Sequence, residues 1–379
     1  MKLEIIDNFE KFLTLESVWN GLLKQSAADN PFSTFEWCRA WLEVFGRDIE
    51  LLILVIKDES GIKGIAPFCI KVKKIITFIG YPQNDYAGLI FGKDSSGIPD
   101  LIAQYLSENK GKWNKVILDQ FAEECSQIEG MGEALKKYGL PWRSEPSDSC
   151  PAMLLTDRDA AKKMYYKRNI TSYINWFKKE GEFRYNIYTE SEEAVQRLDD
   201  LFAQHIYRWK GTSTPSYFSD EKMKEFYRTF MKYLNPRGWV QFSSLTLADK
   251  FLALYISFEY DNILYLYKTC YNPDYAKKSP GQVILRYLFD YALEKNIVEM
   301  DFARGDEGYK ERFANAIKKN CRLIVYKSGM SKMAAETFHD FRYSKFVDIV
   351  YRNKIVRGMK RRMQKLMSGS PEKSGLTPK

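Results

Sequence analysis

One segment of the sequence combines residue types and spacing that suit the binding of a phosphate group. A predicted strand leads through a polar loop into a predicted helix that begins near Pro280 and Gly281. Free backbone N–H groups at a helix start, together with the helix dipole, attract phosphate groups. Ser279 is the expected cap of this helix, and Lys277 and Lys278 add positive charge. The alternative is an ordinary capped loop in front of a packing helix.

A second segment, DFARGDEGYK (301–310), follows the end of a predicted buried strand, and active sites often gather where strands of a sheet end. Its ionisable and phenolic residues are Asp301, Arg304, Asp306, Glu307, Tyr309 and Lys310. Asp301 lies between apolar neighbours, so we expect its carboxylate in a cleft or in the core. Arg304 and Asp306 are expected to form an ion pair. The alternative is a structural salt-bridge network around a tight turn.

His205 is the one histidine ahead of residue 330, and the other is His339. It lies on a predicted helix with Trp209 four residues later, which places both on one helix face. A general base is one interpretation, because an ordinary histidine titrates near neutral pH, and a half-buried packing histidine is the other. Two histidines and six scattered cysteines without a CxxC pair argue against a metal site.

The elements that must position these residues recur in two halves. Each half is predicted to contain helices, a meander of two or three strands, a further helix and a closing strand. This order favours a mixed α/β (α+β) fold with largely antiparallel sheets over a doubly wound parallel sheet. The polar, proline-bounded segment 143–151 is predicted to connect the halves, so we expect lobes at 1–155 and 156–329. Single helices are predicted over 9–25 and 160–180, and Ser33 is the expected N-cap of a third.

The chain has 379 residues and a formal net charge of +9. The last fifty residues contain twelve Lys and Arg and four acids, so this tail carries +8 and the preceding 329 residues carry +1. A DNA-binding body is therefore disfavoured. The tail, 330–379, predicts basic amphipathic helices with a disordered end after Ser368. Helices packed on the body are one interpretation, and attachment to an anionic membrane surface is the other.

The phosphate-type loop resembles motif A of the Gcn5-related N-acetyltransferases (GNATs), with a central glycine at the expected spacing in 278–283. The whole chain resembles the two-lobed cellulose-biosynthesis-type acetyltransferases, which are similar in plan to the Fem peptidyltransferases. Six segments carry this resemblance in the family's order: 31–46, 64–68, 84–86, His205 with Arg208 and Trp209, 271–281, and 301–310. It implies tandem GNAT-like lobes, of which the first has no phosphate loop.

The resemblance also implies a reaction, the transfer of an acyl group from acetyl-CoA or another acyl-CoA to a glycan or small-molecule acceptor. The acceptor class it suggests is an amino sugar or similar molecule of the cell envelope or an exopolysaccharide. Expected catalytic residues are His205, Asp301 and Tyr309. Acyl-CoA is expected to bind at Lys277, Lys278, Ser279, Gly281, Gln282 and Val283. The acceptor is expected at Trp209, Asp274, Arg304, Asp306 and Lys310.

Two other functions remain open at the level of sequence. One is aminoacyl transfer from a charged tRNA, as in the Fem relatives, and the other is a non-catalytic scaffold for polysaccharide assembly. The N-terminus lacks an apolar signal-peptide core, and no uncharged apolar run reaches the length needed to span a bilayer. We therefore expect a cytoplasmic protein, with peripheral attachment at the inner face of the membrane through the basic tail.

Overall fold

The structure is a computed structural model, and it describes residues 1–92, 97–122, 126–189, 191–212, 215–305 and 307–333. Residues 1–325 form one compact unit and residues 326–379 a second. In the described part of the second unit, the Ser328 hydroxyl accepts a hydrogen bond from the Ser331 amide at the start of a helical turn. The helices and disordered end predicted for the tail fall largely on residues 334–379, outside the described residues. No helix in the described ranges is long and apolar enough to cross a membrane.

Helices and strands alternate along the first unit as the apolar periodicity predicts. The helices are α1 (Phe9–Leu13), α2 (Glu16–Leu23), α3 (Phe35–Phe45), α4 (Ile98–Glu108), α5 (Ser126–Lys137), α6 (Arg158–Tyr165), α7 (Arg168–Glu180), α8 (Ser191–Trp209), α9 (Glu221–Leu234) and α10 (Pro280–Glu294). The strands are β1 (Lys2–Ile6), β2 (Glu50–Asp58), β3 (Gly61–Lys71), β4 (Ile75–Phe78), β5 (Ile90–Phe91), β6 (Lys115–Ala122), β7 (Trp142–Leu154), β8 (Phe183–Tyr188), β9 (Val240–Leu247), β10 (Lys250–Tyr260), β11 (Ile263–Tyr271), β12 (Glu299–Asp301) and β13 (Ala316–Tyr326).

All these strands belong to one mixed sheet, in the order β1-β2-β3-β4-β6-β13-β7-β12-β11-β10-β9-β8, with β5 on β3. The meanders β2-β3-β4 and β9-β10-β11 are antiparallel. Each meander is followed by a helix and then by a strand that pairs in parallel with the meander's last strand, β6 on β4 and β12 on β11. The repeated, mostly antiparallel α/β plan predicted from the sequence is confirmed.

The prediction that the segment 143–151 is a connection between the halves is wrong. The segment lies in β7, near the middle of the sheet. Its residues pair antiparallel with β13, from Trp142 opposite Val325 to Ala152 opposite Ala316. Polar composition and prolines are typical of loops, but two neighbouring strands, β13 and β12, supply the hydrogen-bond partners here. The two halves therefore exchange closing strands, because β13 from the end of the unit lies beside β6.

Three local predictions also differ from the structure. The predicted helix 9–25 is divided into α1 and α2, and the predicted helix 160–180 into α6 and α7. The N-cap of α3 is Thr34 rather than Ser33, because the Thr34 hydroxyl accepts a hydrogen bond from the Trp37 amide. Ser33 lies instead in a short 3₁₀ turn over Pro31–Ser33.

Aromatic packing joins the halves through α3 and α9. Trp37 on α3 is fully buried, and its ring lies 5.1 Å from that of Phe226 and 5.5 Å from that of Phe230, both on α9. A buried tryptophan with such aromatic contacts contributes several kcal/mol of burial energy. Trp37 and Trp41 are core aromatics, since both are at most 2% exposed.

The sheet opens between β11 and β12. The two strands pair at only three positions, Ile263 to Tyr265 opposite Glu299 to Asp301. β11 continues to Tyr271 after β12 has ended, and its register against β10 shifts between Ile256 and Phe258. This bulge increases local twist, so the last part of β11 faces an opening instead of a neighbouring strand.

Candidate active site

A cleft of about 640 Å³ occupies this opening. One wall comes from the first half of the chain, where Pro82, Gln83 and Asp85 follow β4. The opposite wall comes from α8, β11 and the loop after β12. The lining residues from the second half of the chain include His205, Arg208, Trp209, Lys268, Arg304, Glu307, Tyr309 and Lys310. The cleft is therefore lined by residues from both halves of the chain.

A smaller cavity of about 230 Å³ lies at the start of α10, beside Ser279, Gly281 and Gln282. The two cavities share four lining residues, which are Arg208, Tyr255, Thr269 and Tyr309. The two cavities therefore adjoin beside β11, with Tyr309 at their junction.

The first turn of α10 is less open to a phosphate than the sequence predicts. Ser279 adopts a left-handed conformation, with φ of 46°, and its side chain makes no capping hydrogen bond. Its carbonyl accepts hydrogen bonds from the amides of Gln282 (2.8 Å) and Val283 (3.1 Å). Pro280 has no N–H, and the amides of Gln282 and Val283 are occupied by Ser279. Within this described turn, the Gly281 amide is therefore the one left to bind a phosphate. The structure corrects the expectation of free amides at Gln282 and Val283.

The lysines of this loop and Asp274 lie outside the described lining of both cavities. Lys278 is placed over the ring of Trp176, 4.6 Å from its centroid, and Lys277 is exposed. Asp274 is also exposed and accepts a hydrogen bond from the Tyr207 hydroxyl at 3.1 Å. The expected contact of Asp274 with an acceptor is not supported by this position.

His205 lines the cleft and is 6% exposed. Its Nδ1 lies 2.8 Å from the Ser216 hydroxyl oxygen, which also accepts a hydrogen bond from the Phe218 amide. Burial lowers the pKa of His205 to about 3, and the nearby charges of Lys268 and Arg208 act in the same direction. A base this weak does not suit proton abstraction near neutral pH. The geometry favours a neutral cleft-lining histidine, held by Ser216.

Tyr309 lies where the two cavities meet. Burial raises its pKa to about 12, with a further contribution from Glu307, whereas a hydrogen bond with Tyr255 acts in the opposite direction. The phenol therefore keeps its proton at neutral pH and is available as a donor, as the sequence interpretation requires.

Asp301 is not brought to the cleft. It is fully buried on β12, and its Oδ2 accepts a hydrogen bond from the Tyr86 hydroxyl at 2.7 Å and lies 2.6 Å from Lys318 Nζ. Its Oδ1 accepts a hydrogen bond from the Ala303 amide at 2.7 Å. Lys318 also pairs with Glu299. The carboxylate expected to be catalytic is thus committed to a structural ion pair with the partly exposed Lys318.

The two cations of the segment 301–310 that line the cleft are both paired with carboxylates, one across the cleft and one within the segment. Arg304 Nε lies 2.7 Å from Asp85 Oδ1, and Lys310 Nζ lies 2.9 Å from Glu307 Oε2 and donates to the Arg304 carbonyl at 2.7 Å. Both cations line the cleft as expected, but each already has a carboxylate. The predicted partner of Arg304, Asp306, lies outside the described residues.

Three charged residues outside the segment 301–310 also line the cleft and were not among the expected site residues: Asp85, Arg208 and Lys268. Each had a signal in the sequence. Lys268 is the one cation in the apolar strand ILYLYKTC, Asp85 lies within the segment 84–86, and Arg208 shares a helix face with His205. Trp209, which was selected, lines the cleft as well.

Comparison with known proteins agrees with this architecture. Residues 165–311 match the family model described as an acetyltransferase (GNAT) domain. The fold is similar to that in a crystal structure of FemX, with a TM-score of 0.56 at 9% identity over 84% of this chain and 97% of that chain. None of the curated proteins compared with the sequence matches it.

Two further solved structures share the fold. One is the C-terminal domain of a putative lysylphosphatidylglycerol synthetase from Agrobacterium fabrum, with a TM-score of 0.55 at 10% identity, covering 86% of this chain and 95% of that chain. The other is a conserved protein of unknown function from Bacteroides thetaiotaomicron, with a TM-score of 0.51 at 11% identity over 86% of this chain and 100% of that chain. The match of residues 165–311 to an acetyltransferase (GNAT) domain supports a transferase of acyl groups.

Proposed function

We propose that this transferase moves an acyl group from an acyl-CoA thioester to an amine or hydroxyl of an acceptor held in the cleft. The observation that carries the proposal is the junction of the two cavities at Tyr309 within a GNAT domain. The smaller cavity beside α10 receives the donor, and the larger cleft receives the acceptor. The resemblance of the sequence to cellulose-biosynthesis-type acetyltransferases supports an amino sugar or related envelope molecule as acceptor.

The residues present fit an acyl-CoA only in part, since Gly281 offers one amide and Arg208 one cation beside the donor cavity. Bound acyl-CoA would supply an activated thioester carbonyl. Attack by the acceptor forms a C–N or C–O bond and breaks the C–S bond. Tyr309 donates its phenolic proton toward the departing sulfur.

Asp85 is the carboxylate best suited to accept the proton of the attacking group. Burial raises the pKa of Asp85, although Arg304, Lys268 and Lys310 oppose the shift. Glu307, the other carboxylate in the cleft's described lining, has a lowered pKa: burial acts to raise it, but the hydrogen bond and charge of Lys310 outweigh burial. A carboxylate with a raised pKa is the better base, so Asp85 replaces His205 and Asp301 in this role.

The test is calorimetric titration of the full chain with CoA and acetyl-CoA, comparing wild type with Gly281→Asp. A Cβ at Gly281 meets only the Tyr271 ring, at 3.6 Å, and an acidic residue in the first turn favours the helix. The variant should therefore fold and bind CoA at least about tenfold more weakly. Gly281→Ala and Gly111→Asp are the matched controls, since a Cβ at Gly111 meets nothing within 4 Å.

An aminoacylated tRNA is the second candidate donor, favoured by the sequence resemblance to the Fem peptidyltransferases and by the fold similarity to FemX. It predicts salt-sensitive binding of tRNA to the full chain. If CoA and acetyl-CoA give no heat with wild type while tRNA is retained at low salt and released at high salt, the acyl-CoA proposal is wrong.

A further inference from the structure

The charged side chains in the described lining of the cleft do not balance. There are four cations (Arg208, Lys268, Arg304 and Lys310) and two carboxylates (Asp85 and Glu307). Two ion pairs, Arg304 with Asp85 and Lys310 with Glu307, use both carboxylates. Arg208 and Lys268 remain, and within the described ranges neither has a carboxylate oxygen within ion-pair distance.

Both remaining cations are held by aromatic rings rather than by acids. The Arg208 guanidinium lies 4.0 Å from the centroid of the Tyr271 ring, and Lys268 Nζ lies 4.9 Å from that of Tyr217. Both side chains are half-buried. Stacking on rings fixes the direction of a cation while its hydrogen-bond donors stay available.

The aromatic and imidazole side chains around the two cations add no negative charge. The indole N–H of Trp209 is shielded from solvent and has no hydrogen-bond acceptor among the described residues, so it adds no donor to the cleft. His205, between these groups, is packed against Tyr217 and Trp209, at ring distances of 5.0 and 6.0 Å, and carries no charge to offset the two cations. Two half-buried cations without a carboxylate partner in one cleft are costly unless a ligand supplies acceptor oxygens.

We propose that Arg208 and Lys268 form an anion subsite in the cleft and that the acceptor therefore carries a carboxylate or a phosphate. This inference rests on the proposed function where it assigns the anion to the acceptor. Arg304 and Lys310, which the sequence favoured for this role, instead shape the cleft through their own ion pairs. Arg208 lines both cavities, whereas Lys268 lines the larger cleft and not the smaller cavity. Substitution of Lys268 therefore distinguishes acceptor binding from donor binding.

The test is calorimetric titration of the full chain with two probes, inorganic phosphate and acetate, at low ionic strength. Wild type should bind at least one probe, and Lys268→Gln should weaken it at least about tenfold, because a charge-assisted hydrogen bond is lost. Lys268→Arg should retain binding. Lys250→Gln, at an exposed position on β10, is the matched control and should bind as wild type does. Preference for one probe identifies the acceptor's anionic group.

A repeat with saturating CoA separates this inference from the proposed donor. Phosphate or acetate that still binds in the presence of CoA supports an acceptor subsite, whereas complete displacement by CoA overturns that assignment. The absence of binding by either probe, or equal binding to wild type and Lys268→Gln, overturns the anion subsite itself. If CoA fails to bind but the probe depends on Lys268, the donor proposal falls and the anion subsite stands.

Discussion

Arg304 and Asp85, 219 positions apart in the sequence, form an ion pair of 2.7 Å across the cleft. The same guanidinium donates a hydrogen bond to the carbonyl of Pro82, so the loop after β12 is fastened to the loop after β4. Asp85 is buried, and a buried carboxylate without a partner is costly. This ion pair therefore determines both the shape of the cleft and the charge of the carboxylate proposed as the base.

Replacement of Arg304 by alanine should lower the free energy of unfolding by about 2–4 kcal/mol, since it leaves Asp85 unpaired. Burial already holds the pKa of Asp85 above its ordinary value, with Arg304 as the main opposing charge, and loss of Arg304 raises it further. Because the pKa of Asp85 is higher in the folded state than in the unfolded state, the folded protein loses stability as pH rises through the folded-state pKa. Urea unfolding at pH 5 and pH 7 should show the variant losing more stability at pH 7 than wild type does.

Lys11→Ala provides the comparison for this experiment, because Lys11 pairs with Asp7 on the surface at 3.0 Å. It should cost much less stability than Arg304→Ala and leave the pH dependence between pH 5 and pH 7 unchanged. Equal stability losses in the two variants would show that the Arg304 pair contributes no more than a surface pair.

His205 should remain neutral across the physiological pH range, because burial lowers its pKa to about 3. The chain has two histidines, so a proton NMR titration of the ring signals is simple to assign with His205→Gln. One signal should not shift between pH 5 and pH 8. Since the unfolded histidine takes up a proton near pH 6.5 and the folded one does not, stability should fall as pH falls, by at most about 1.4 kcal/mol per unit. Titration of both signals near pH 6.5 would contradict this.

Asp301→Asn should affect stability and leave catalysis nearly intact. The amide keeps the shape of the carboxylate but removes the charge that pairs with Lys318, so we expect a loss of about 1–3 kcal/mol in the free energy of unfolding. The turnover rate per folded molecule should stay within about threefold of wild type, in contrast to the roughly 10²-fold or larger loss expected of a general base. A large fall in kcat at unchanged stability would return Asp301 to the catalytic residues.

The sequence predicts the meanders and the helices around the sheet, because these depend on local apolar periodicity and on short turns. It does not predict β7, because the residues of 143–151 become a strand only when β13, far away in the chain, supplies hydrogen-bond partners. The charge pattern of 301–310 is visible in the sequence, but the pairing is not. Asp301 meets Lys318 and Arg304 meets Asp85 through contacts between distant segments.

The role of Tyr309 can be tested most directly by removing its hydroxyl. Tyr309→Phe keeps the ring that lines both cavities, so acetyl-CoA affinity and KM for the donor should change little. Turnover, measured as release of the CoA thiol with an amino-sugar acceptor, should fall by about 10²–10⁴ because the departing sulfur loses its proton donor.

Tyr260→Phe is the matched control. Its hydroxyl donates to Asp29 at 2.6 Å, outside the described lining of both cavities, so turnover should be unchanged. Since the pKa of Tyr309 is raised to about 12 by burial, wild-type kcat should show no loss from its ionisation until pH approaches that value. A kcat for Tyr309→Phe equal to that of Tyr260→Phe would exclude Tyr309 as the proton donor and leave it as a wall of the junction.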